Sequence, residues 1–133
     1  MQLKLEKVDH ICIAVKDLQE AERYFSHVFG LEPDDRYREE KEKIEVIRYY
    51  IGEVGFELMA ATDPEGDVAK FIEKNGEGVF LLSLKVPDVE KAIEELNKKG
   101  VAITDQVPRQ WRQSKYTFIN PKAMFGVLLE LID

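Results

Sequence analysis

The chain has 133 residues, of which 44% are hydrophobic, so it is large enough to bury a core and fits one domain of ordinary size. The formal net charge of −7 argues against nucleic acid or an anionic membrane as a general partner. No apolar run reaches the length of a membrane span, and the N-terminus lacks the apolar core of a signal peptide. A single cysteine, Cys12, cannot form an intrachain disulfide, so we expect a cytoplasmic protein.

The first half of the chain predicts one strand, one helix and three further strands. The first strand is expected over residues 5–15, with alternate side chains on opposite faces. Asp17 predicts a helix N-cap, with Glu20 as its capping-box partner, and Gly30 is typical of a helix C-terminus. The three further strands are expected at residues 36–39, 44–51 and 55–61.

The second half of the chain predicts the same series after a short connecting helix. Asp63 and Pro64 are expected to open that helix, because proline is favoured at the first helical position. A strand is expected over residues 79–86, and Asp88 predicts the N-cap of a helix that Gly100 ends. Three more strands are expected at residues 101–104, 116–119 and 127–132.

An internal repeat relates the two halves. Residues 8–18 match residues 79–89 at an offset of 71 positions (79 − 8), and residues 54–58 match residues 127–131 at an offset of 73 (127 − 54). Each half therefore reads βαβββ and ends with a strand that carries one glutamate among apolar residues.

The repeat predicts an α+β fold built from two tandem βαβββ modules. The modules are expected at about residues 1–63 and 76–133, joined by a helix at about residues 64–75. No linker rich in proline, glycine or serine separates them, so we expect a single domain.

Three polar side chains on predicted strands form a candidate metal site. His10 lies on the first strand, and Glu57 and Glu130 occupy equivalent last strands of the two halves. A carboxylate among apolar residues is costly to bury unless it is paired, protonated or bound to metal, and one histidine with two carboxylates suits a divalent cation. Taken singly, each also fits an ordinary role, because strand histidines are often structural and strand glutamates often face solvent.

Five stretches carry a resemblance to a known superfamily: residues 8–15, 68–74, 76–79, 120–122 and 126–131. They resemble the vicinal oxygen chelate superfamily, which includes glyoxalase I, bleomycin-resistance proteins, extradiol dioxygenases and methylmalonyl-CoA epimerase. Over nearly the whole chain they look most like the last of these families. The resemblance implies a glyoxalase-like fold, in which the two modules form a curved eight-stranded mixed sheet around a central cleft with the helices outside. It also implies a homodimer and metal-assisted transfer of an α-proton on an acyl-CoA thioester, with methylmalonyl-CoA as the leading substrate.

The resemblance also implies roles for individual residues. His10, Glu57 and Glu130 would hold the metal, and Glu45 and Glu130 would carry protons. Alternation along the strand leaves an equally good alternative for Glu45, an exposed strand residue. Leu81 stands where the superfamily has a histidine ligand. The expected ion is Mn, Co or Mg, with Ni or Zn as further options, and one imidazole fewer should favour Mn or Mg.

Two alternatives to an epimerase follow from the sequence. Leu81, with Phe80 and Leu82 beside it, also fits a cleft made apolar. The chain would then be a metal-free small-molecule-binding protein of the bleomycin-resistance type. A glyoxalase-type lyase is the other alternative.

A basic segment is a candidate substrate-binding element. Residues 106–115 contain Arg109, Arg112 and Lys115 and no acidic residue, in a chain that is acidic overall. With Leu81, these three residues are assigned to substrate binding, since such cations suit the phosphates of coenzyme A. The simpler interpretation is a solvated basic loop.

Overall fold

The structure is a computed structural model that describes residues 3–133, and in that range it contains eight strands, three α-helices and one short 3₁₀ helix. The strands are β1 Lys7–Ala14, β2 Asp35–Glu39, β3 Ile44–Ile51, β4 Val54–Ala61, β5 Gly78–Lys85, β6 Arg109–Trp111, β7 Ser114–Ile119 and β8 Leu129–Ile132. The helices are α1 Leu18–Phe29, α2 Asp67–Asn75, α3 Val89–Lys98 and the 3₁₀ helix Pro121–Ala123. Within the described range, every helix is too short or too polar to traverse a lipid bilayer.

The chain divides into two compact units. The first unit is His10–Phe80, and the second is Leu81–Asp133 together with the segment that ends at Asp9. The strands run in the order β2-β3-β4-β1 in the first unit and β5-β8-β7-β6 in the second. The pairs β1–β4 and β5–β8 are parallel and the remaining pairs within each unit are antiparallel, so both halves have the predicted βαβββ order.

Helix α1 covers one face of the first unit's strands. It begins as predicted, because Asp17 Oδ1 accepts a hydrogen bond of 3.0 Å from the backbone N–H of Glu20. It ends at Gly30, whose φ of 65° is readily adopted only by glycine. Leu18, Ala21 and Phe25 of α1 pack against a buried cluster of Val15, Ile47, Tyr49, Leu58 and Ala60.

Helix α3 covers one face of the second unit's strands in the same way. Asp88 Oδ1 accepts a hydrogen bond of 3.1 Å from the backbone N–H of Lys91. The apolar stripe of α3 is buried against the strands, in a cluster that contains Val89, Ala92, Ile93, Leu96, Ile119, Leu129 and Leu131. In both units, therefore, a helix packs on one face of the strands, and we call the opposite face the helix-free face.

The predicted start of the connecting helix was wrong. Helix α2 begins at Asp67, with Gly66 as its N-cap, and not at Asp63 and Pro64. The Asp63 carboxylate accepts a hydrogen bond of 2.8 Å from the backbone N–H of Glu65. The backbone carbonyl of Asp63 accepts one of 3.1 Å from the backbone N–H of Gly66. These local bonds hold the segment as a turn, since an aspartate side chain competes with the helix for backbone donors.

The predicted strand at residues 101–104 was also wrong. In that segment only Ile103 forms a bridge, with Ile119, while the edge strand of the second unit is β6. Strand β6 pairs with β7 across a two-residue turn, in which Arg112 has a φ of 52°. The basic segment that was predicted to be a loop is therefore largely a hairpin. The other predicted strand boundaries lie within two residues of those observed.

Candidate functional site

Glu57 lies on the helix-free face of the first unit. Its neighbours on β4, Phe56 and Leu58, pack toward α1, so alternation turns Glu57 to the opposite face. The parallel register pairs Cys12 with Glu57, and His10 lies two residues before Cys12 on the same face. All three side chains are buried, and Glu57 is only 1% exposed.

The two oxygens of Glu57 have different neighbours. Oε1 accepts a hydrogen bond of 3.2 Å from the Cys12 thiol and lies 3.8 Å from Nε2 of His10. Oε2 accepts a hydrogen bond of 2.8 Å from Nη1 of Arg48. The hydroxyl of Tyr37 lies at 3.5 and 3.4 Å from the two oxygens. One oxygen therefore faces two metal-ligand side chains, and the other faces a cation.

Arg48 stabilises the buried charge of Glu57. The antiparallel register of β3 and β4 pairs the two residues directly, and only 11% of the Arg48 side chain is exposed. The guanidinium occupies space that any side chain at position 55 would need, since a Cβ built on Gly55 would lie 2.3 Å from its Nη2 atom. Glycine at this position thus allows an ion pair that offsets much of the cost of burying a carboxylate.

The second unit carries an equivalent carboxylate. Glu130 is 6% exposed, and its Oε1 accepts a hydrogen bond of 2.6 Å from the hydroxyl of Ser83, its partner in the β5–β8 register. Leu82 and Leu129 pack toward α3, so Ser83 and Glu130 lie on the helix-free face. Leu81 lies on this same face, two residues before Ser83, and is buried. It takes the place in this unit that His10 has in the first.

Glu45 projects from the opposite face to Glu57. On β3, Val46 and Arg48 share the face of Glu57, so Glu45 points to the α1 side of the sheet. Its carboxylate accepts a hydrogen bond of 2.6 Å from Nη1 of Arg38 and is 45% exposed. It lines a groove of about 400 Å³ that α1 borders. The structure therefore does not bring Glu45 beside Glu57.

The three basic side chains of residues 106–115 have partners within the second unit. Arg109 donates a hydrogen bond of 3.1 Å to Asp105 and lies over the ring of Phe118. Lys115 donates to Glu90, and this bond raises the pKa of Lys115 above its ordinary value. Arg112, at the tip of the hairpin, lies over the Trp111 ring with its guanidinium carbon 4.4 Å from the ring centre.

One group of metal-ligand side chains is assembled in the first unit. One ligand atom each from His10, Cys12 and Glu57 lies within 4.8 Å of the others. An imidazole, a thiol and a carboxylate are a chemically suitable donor set for a divalent transition metal. The structure thus brings His10 and Glu57 together and adds Cys12, a lone cysteine for which the sequence predicted no role at this site.

Two signals in the sequence could have revealed Cys12 and Arg48. Residues two apart on a strand share a face, which places Cys12 with His10. A two-residue turn between Ile51 and Val54 makes these residues pair, and three steps back along each strand pair Arg48 with Glu57. The first inference needed only the strand assignments already made, whereas the second needed the last strand of the first half to begin at Val54 and not at Gly55.

Residues 7–131 match the family model of the Glyoxalase/Bleomycin resistance protein/Dioxygenase superfamily. The chain belongs to this superfamily. It is 29% identical over 130 residues to the uncharacterized protein YqjC of Bacillus subtilis, covering 97% of this chain and 93% of that protein. It is 26% identical over 132 residues to the mitochondrial methylmalonyl-CoA epimerase of Dictyostelium discoideum, covering 98% of this chain and 80% of that enzyme.

A solved structure of this superfamily has the same fold. It is a methylmalonyl-CoA epimerase in complex with methylmalonyl-CoA and NH4+, with a TM-score of 0.91 and 29% sequence identity. The similarity covers 97% of this chain and 94% of that chain. It confirms the predicted glyoxalase-like α+β fold, and the superfamily match confirms the resemblance found in the sequence.

Proposed function

We propose that this protein is an epimerase-like isomerase that moves the α-proton of an acyl-CoA thioester, with methylmalonyl-CoA as the leading substrate. The observation that carries the proposal is the pair of buried carboxylates, Glu57 and Glu130, at equivalent positions of the two units. Similarity to methylmalonyl-CoA epimerases over nearly the whole chain supports it. At 26–29% identity, those relatives support the reaction class, and the substrate remains part of the proposal.

In this proposal His10, Glu57 and Glu130 hold a divalent ion. The ion, when bound, supplies positive charge that stabilises the enolate oxygen formed as the α-proton leaves. The contacts of Glu57 fit this role, because Arg48 fixes Oε2 and leaves Oε1 directed at His10. His10 and Glu57 are both buried, and electrostatic interactions are stronger in a buried site than in water.

Glu130 is proposed to carry one of the protons. The Ser83 hydroxyl donates to Oε1 and so orients the buried carboxylate for proton transfer. Glu45 stays a prediction for the second proton, and Glu45→Gln tests it. Loss of exchange with folding intact would assign Glu45 a proton-transfer role. Retention would assign it to its ion pair with Arg38.

The decisive experiment is exchange of the substrate α-proton with solvent deuterium. Purified protein is mixed with methylmalonyl-CoA in deuterium oxide with Mn, Co or Mg, and deuterium incorporation is followed by mass spectrometry. We expect exchange in the wild type and its loss in Glu130→Gln. Glu94→Gln, an exposed position on α3, is the matched control and should exchange normally. Absence of exchange with every ion would contradict the proposal.

Binding of the coenzyme A phosphates is proposed for Arg109, Arg112 and Lys115. Arg112 is a suitable probe, because it is exposed at the hairpin tip, where its side chain lies over the Trp111 ring. Arg112→Gln should raise KM for the thioester and leave kcat unchanged, as expected when uniform binding is removed. An unchanged KM would restrict the segment to a structural role.

A metal-free binding protein is the second candidate, and one observation favours it. Arg48 already neutralises the Glu57 carboxylate without any ion, and Leu81 fills the position equivalent to His10 with an apolar side chain. Metal analysis of the purified protein separates the candidates. Stoichiometric metal that is lost in Glu130→Ala supports the isomerase. Absence of metal, with binding restored by Leu81→His, supports the second candidate.

A further inference from the structure

The buried cluster of His10, Cys12 and Glu57 has a feature that the proposed ligand set does not use. The Cys12 thiol is fully buried and donates its hydrogen bond to Oε1 of Glu57, the same oxygen that faces His10. A thiol in this place is a potential third ligand on the first unit alone. After losing its proton to solvent, Sγ of Cys12 would no longer donate to Oε1 of Glu57, and both atoms would bind the same ion.

The distances within the cluster fit a tetrahedral site. With bonds of about 2.0–2.3 Å from nitrogen, oxygen and sulfur to zinc, two ligand atoms of a tetrahedron lie about 3.4–3.6 Å apart. The observed distances from Oε1 of Glu57 are 3.2 Å to Sγ of Cys12 and 3.8 Å to Nε2 of His10. These two distances bracket the ideal range, and all three ligand atoms lie within 4.8 Å of one another.

The side chains of the first unit carry little net charge around the cluster. Arg48 offsets the negative charge of Glu57, and the imidazole of His10 is neutral as a metal ligand. Without Cys12 the first unit therefore contributes almost no net negative charge to a divalent ion, and Glu130 would supply the negative charge of the proposed ligand set. A Cys12 thiolate restores one negative charge directly beside Oε1.

We propose that Cys12, as a thiolate, is a metal ligand together with His10 and Glu57, and that it makes the site prefer Zn or Co over Mn or Mg. The inference rests on the divalent ion of the proposed function but concerns the identity of that ion. Thiolates select softer metals, whereas carboxylate and water sites suit Mg and Mn. Binding displaces the thiol proton to solvent, and no bond is oxidised or reduced.

Cobalt spectroscopy tests the inference without substrate. The full chain is loaded with one equivalent of Co under anaerobic conditions with a phosphine reductant. We expect a thiolate-to-cobalt charge-transfer band in the near ultraviolet, lost in Cys12→Ser. Serine is a conservative choice, since Ser83 places a hydroxyl against a buried carboxylate at the equivalent position of the second unit. Cys12→Ala should also lose the band, which guards against misfolding of one variant.

The outcomes separate this inference from the proposed function. Bound Co without a thiolate band would overturn the role of Cys12, while α-proton exchange in the same sample would leave the isomerase standing. A band in the Co sample, together with absence of exchange with Co, Mn and Mg, would support Cys12 and contradict the isomerase. Failure of the wild type to bind Co or Zn would overturn the thiolate site. Competition between Zn and Mn should favour Zn in the wild type and lose most of that preference in Cys12→Ser.

Discussion

The hydroxyl of Ser83 donates a hydrogen bond of 2.6 Å to Glu130, as the thiol of Cys12 donates one of 3.2 Å to Glu57. Both pairs are formed by directly opposed residues of a parallel strand pair. The antiparallel partners of the carboxylates differ, since Glu57 lies opposite Arg48 and Glu130 opposite Phe118. The two halves thus keep a carboxylate and its hydrogen-bond donor but have diverged in the charge around them.

Removal of the Ser83 hydroxyl should destabilise the protein. Ser83→Ala leaves a buried carboxylate oxygen without its donor, and such a loss costs roughly 1–3 kcal/mol. Urea denaturation monitored by circular dichroism measures the change. Ser26→Ala, at an exposed position of α1, is the control and should stay within about 0.5 kcal/mol of the wild type. Equal effects of the two substitutions would contradict the importance of the Ser83–Glu130 bond.

A methyl group at position 55 should displace Arg48 from Glu57. In Gly55→Ala the new Cβ would lie within 2.3–2.8 Å of three guanidinium atoms, so the side chain must move. Separating a buried ion pair costs about 3–5 kcal/mol when one charge is left unpaired, and this sets the upper limit of the loss in stability. The same displacement removes a competing cation, so affinity for a divalent ion should rise.

The control for this substitution is another strand glycine. Gly78→Ala places its Cβ in open space, and the backbone there does not require glycine, so thermal denaturation should show little change. Metal affinity, measured by calorimetry on both variants, should rise only in Gly55→Ala. A rise in neither variant would mean that Arg48 does not compete with the ion.

The buried hydroxyl of Tyr49 should reduce stability. Tyr49 is fully buried and stacks on Phe25, yet its hydroxyl oxygen has no hydrogen-bond partner among residues 3–133. Tyr49→Phe removes this unsatisfied group and should stabilise the protein by roughly 1 kcal/mol in chemical denaturation. Tyr50→Phe, at a largely exposed position, should have little effect. Destabilisation by Tyr49→Phe would show that the hydroxyl is satisfied in solution.

Tyr49 should also limit stability at alkaline pH. Burial raises the pKa of Tyr49 above its ordinary value of about 10, because the phenolate is poorly solvated there. The folded state therefore holds the proton more tightly than the unfolded state, and stability is fully present below that ordinary value. It falls as the pH rises above it. Denaturation between neutral pH and pH about 11 should show this fall in the wild type and a smaller one in Tyr49→Phe.

The ion pair between Glu22 and Arg36 should contribute to acid sensitivity. The guanidinium of Arg36 donates to both carboxylate oxygens, and this lowers the pKa of Glu22. Its contribution to stability is present above the unfolded value of about 4.3 and is lost as the pH falls through the lower folded value. Stability of Glu22→Gln should therefore depend less on pH in the acid range, whereas Glu94→Gln should follow the wild type. Parallel curves for all three proteins would contradict this assignment.

Local sequence signals predicted most of the fold. The caps at Asp17 and Asp88 predicted where two helices begin, because capping acts within a few residues, and the repeat of the two halves predicted the βαβββ order. The prediction was wrong where local signals compete. Asp63 was read as a helix start, but its side chain forms a turn. A strand was predicted at residues 101–104, whereas the edge strand of the second unit is β6, which pairs with β7 through a turn in which Arg112 has a positive φ.

The candidate site was only partly predictable. The pattern of polar residues among apolar neighbours selected His10, Glu57 and Glu130, whose burial the structure shows. Arg48 was missed because its contact with Glu57 depends on register across a hairpin. The face occupied by Glu45 likewise depends on strand pairing, since alternation alone does not tell which face carries the helix.

The parallel pairing of β1 with β4 has a consequence for folding. Cys12 and Glu57 are 45 positions apart, and Ser83 and Glu130 are 47 apart, so each contact closes a long loop that contains a helix and two strands. Loop closure of this kind has a high entropic cost and tends to slow folding. Each hydrogen bond joins the first and the last strand of its half, so it forms only when these two strands pair. Metal uptake during refolding would therefore report a late, long-range event, and a polypeptide still growing on the ribosome would gain the Glu57 contact well before that of Glu130.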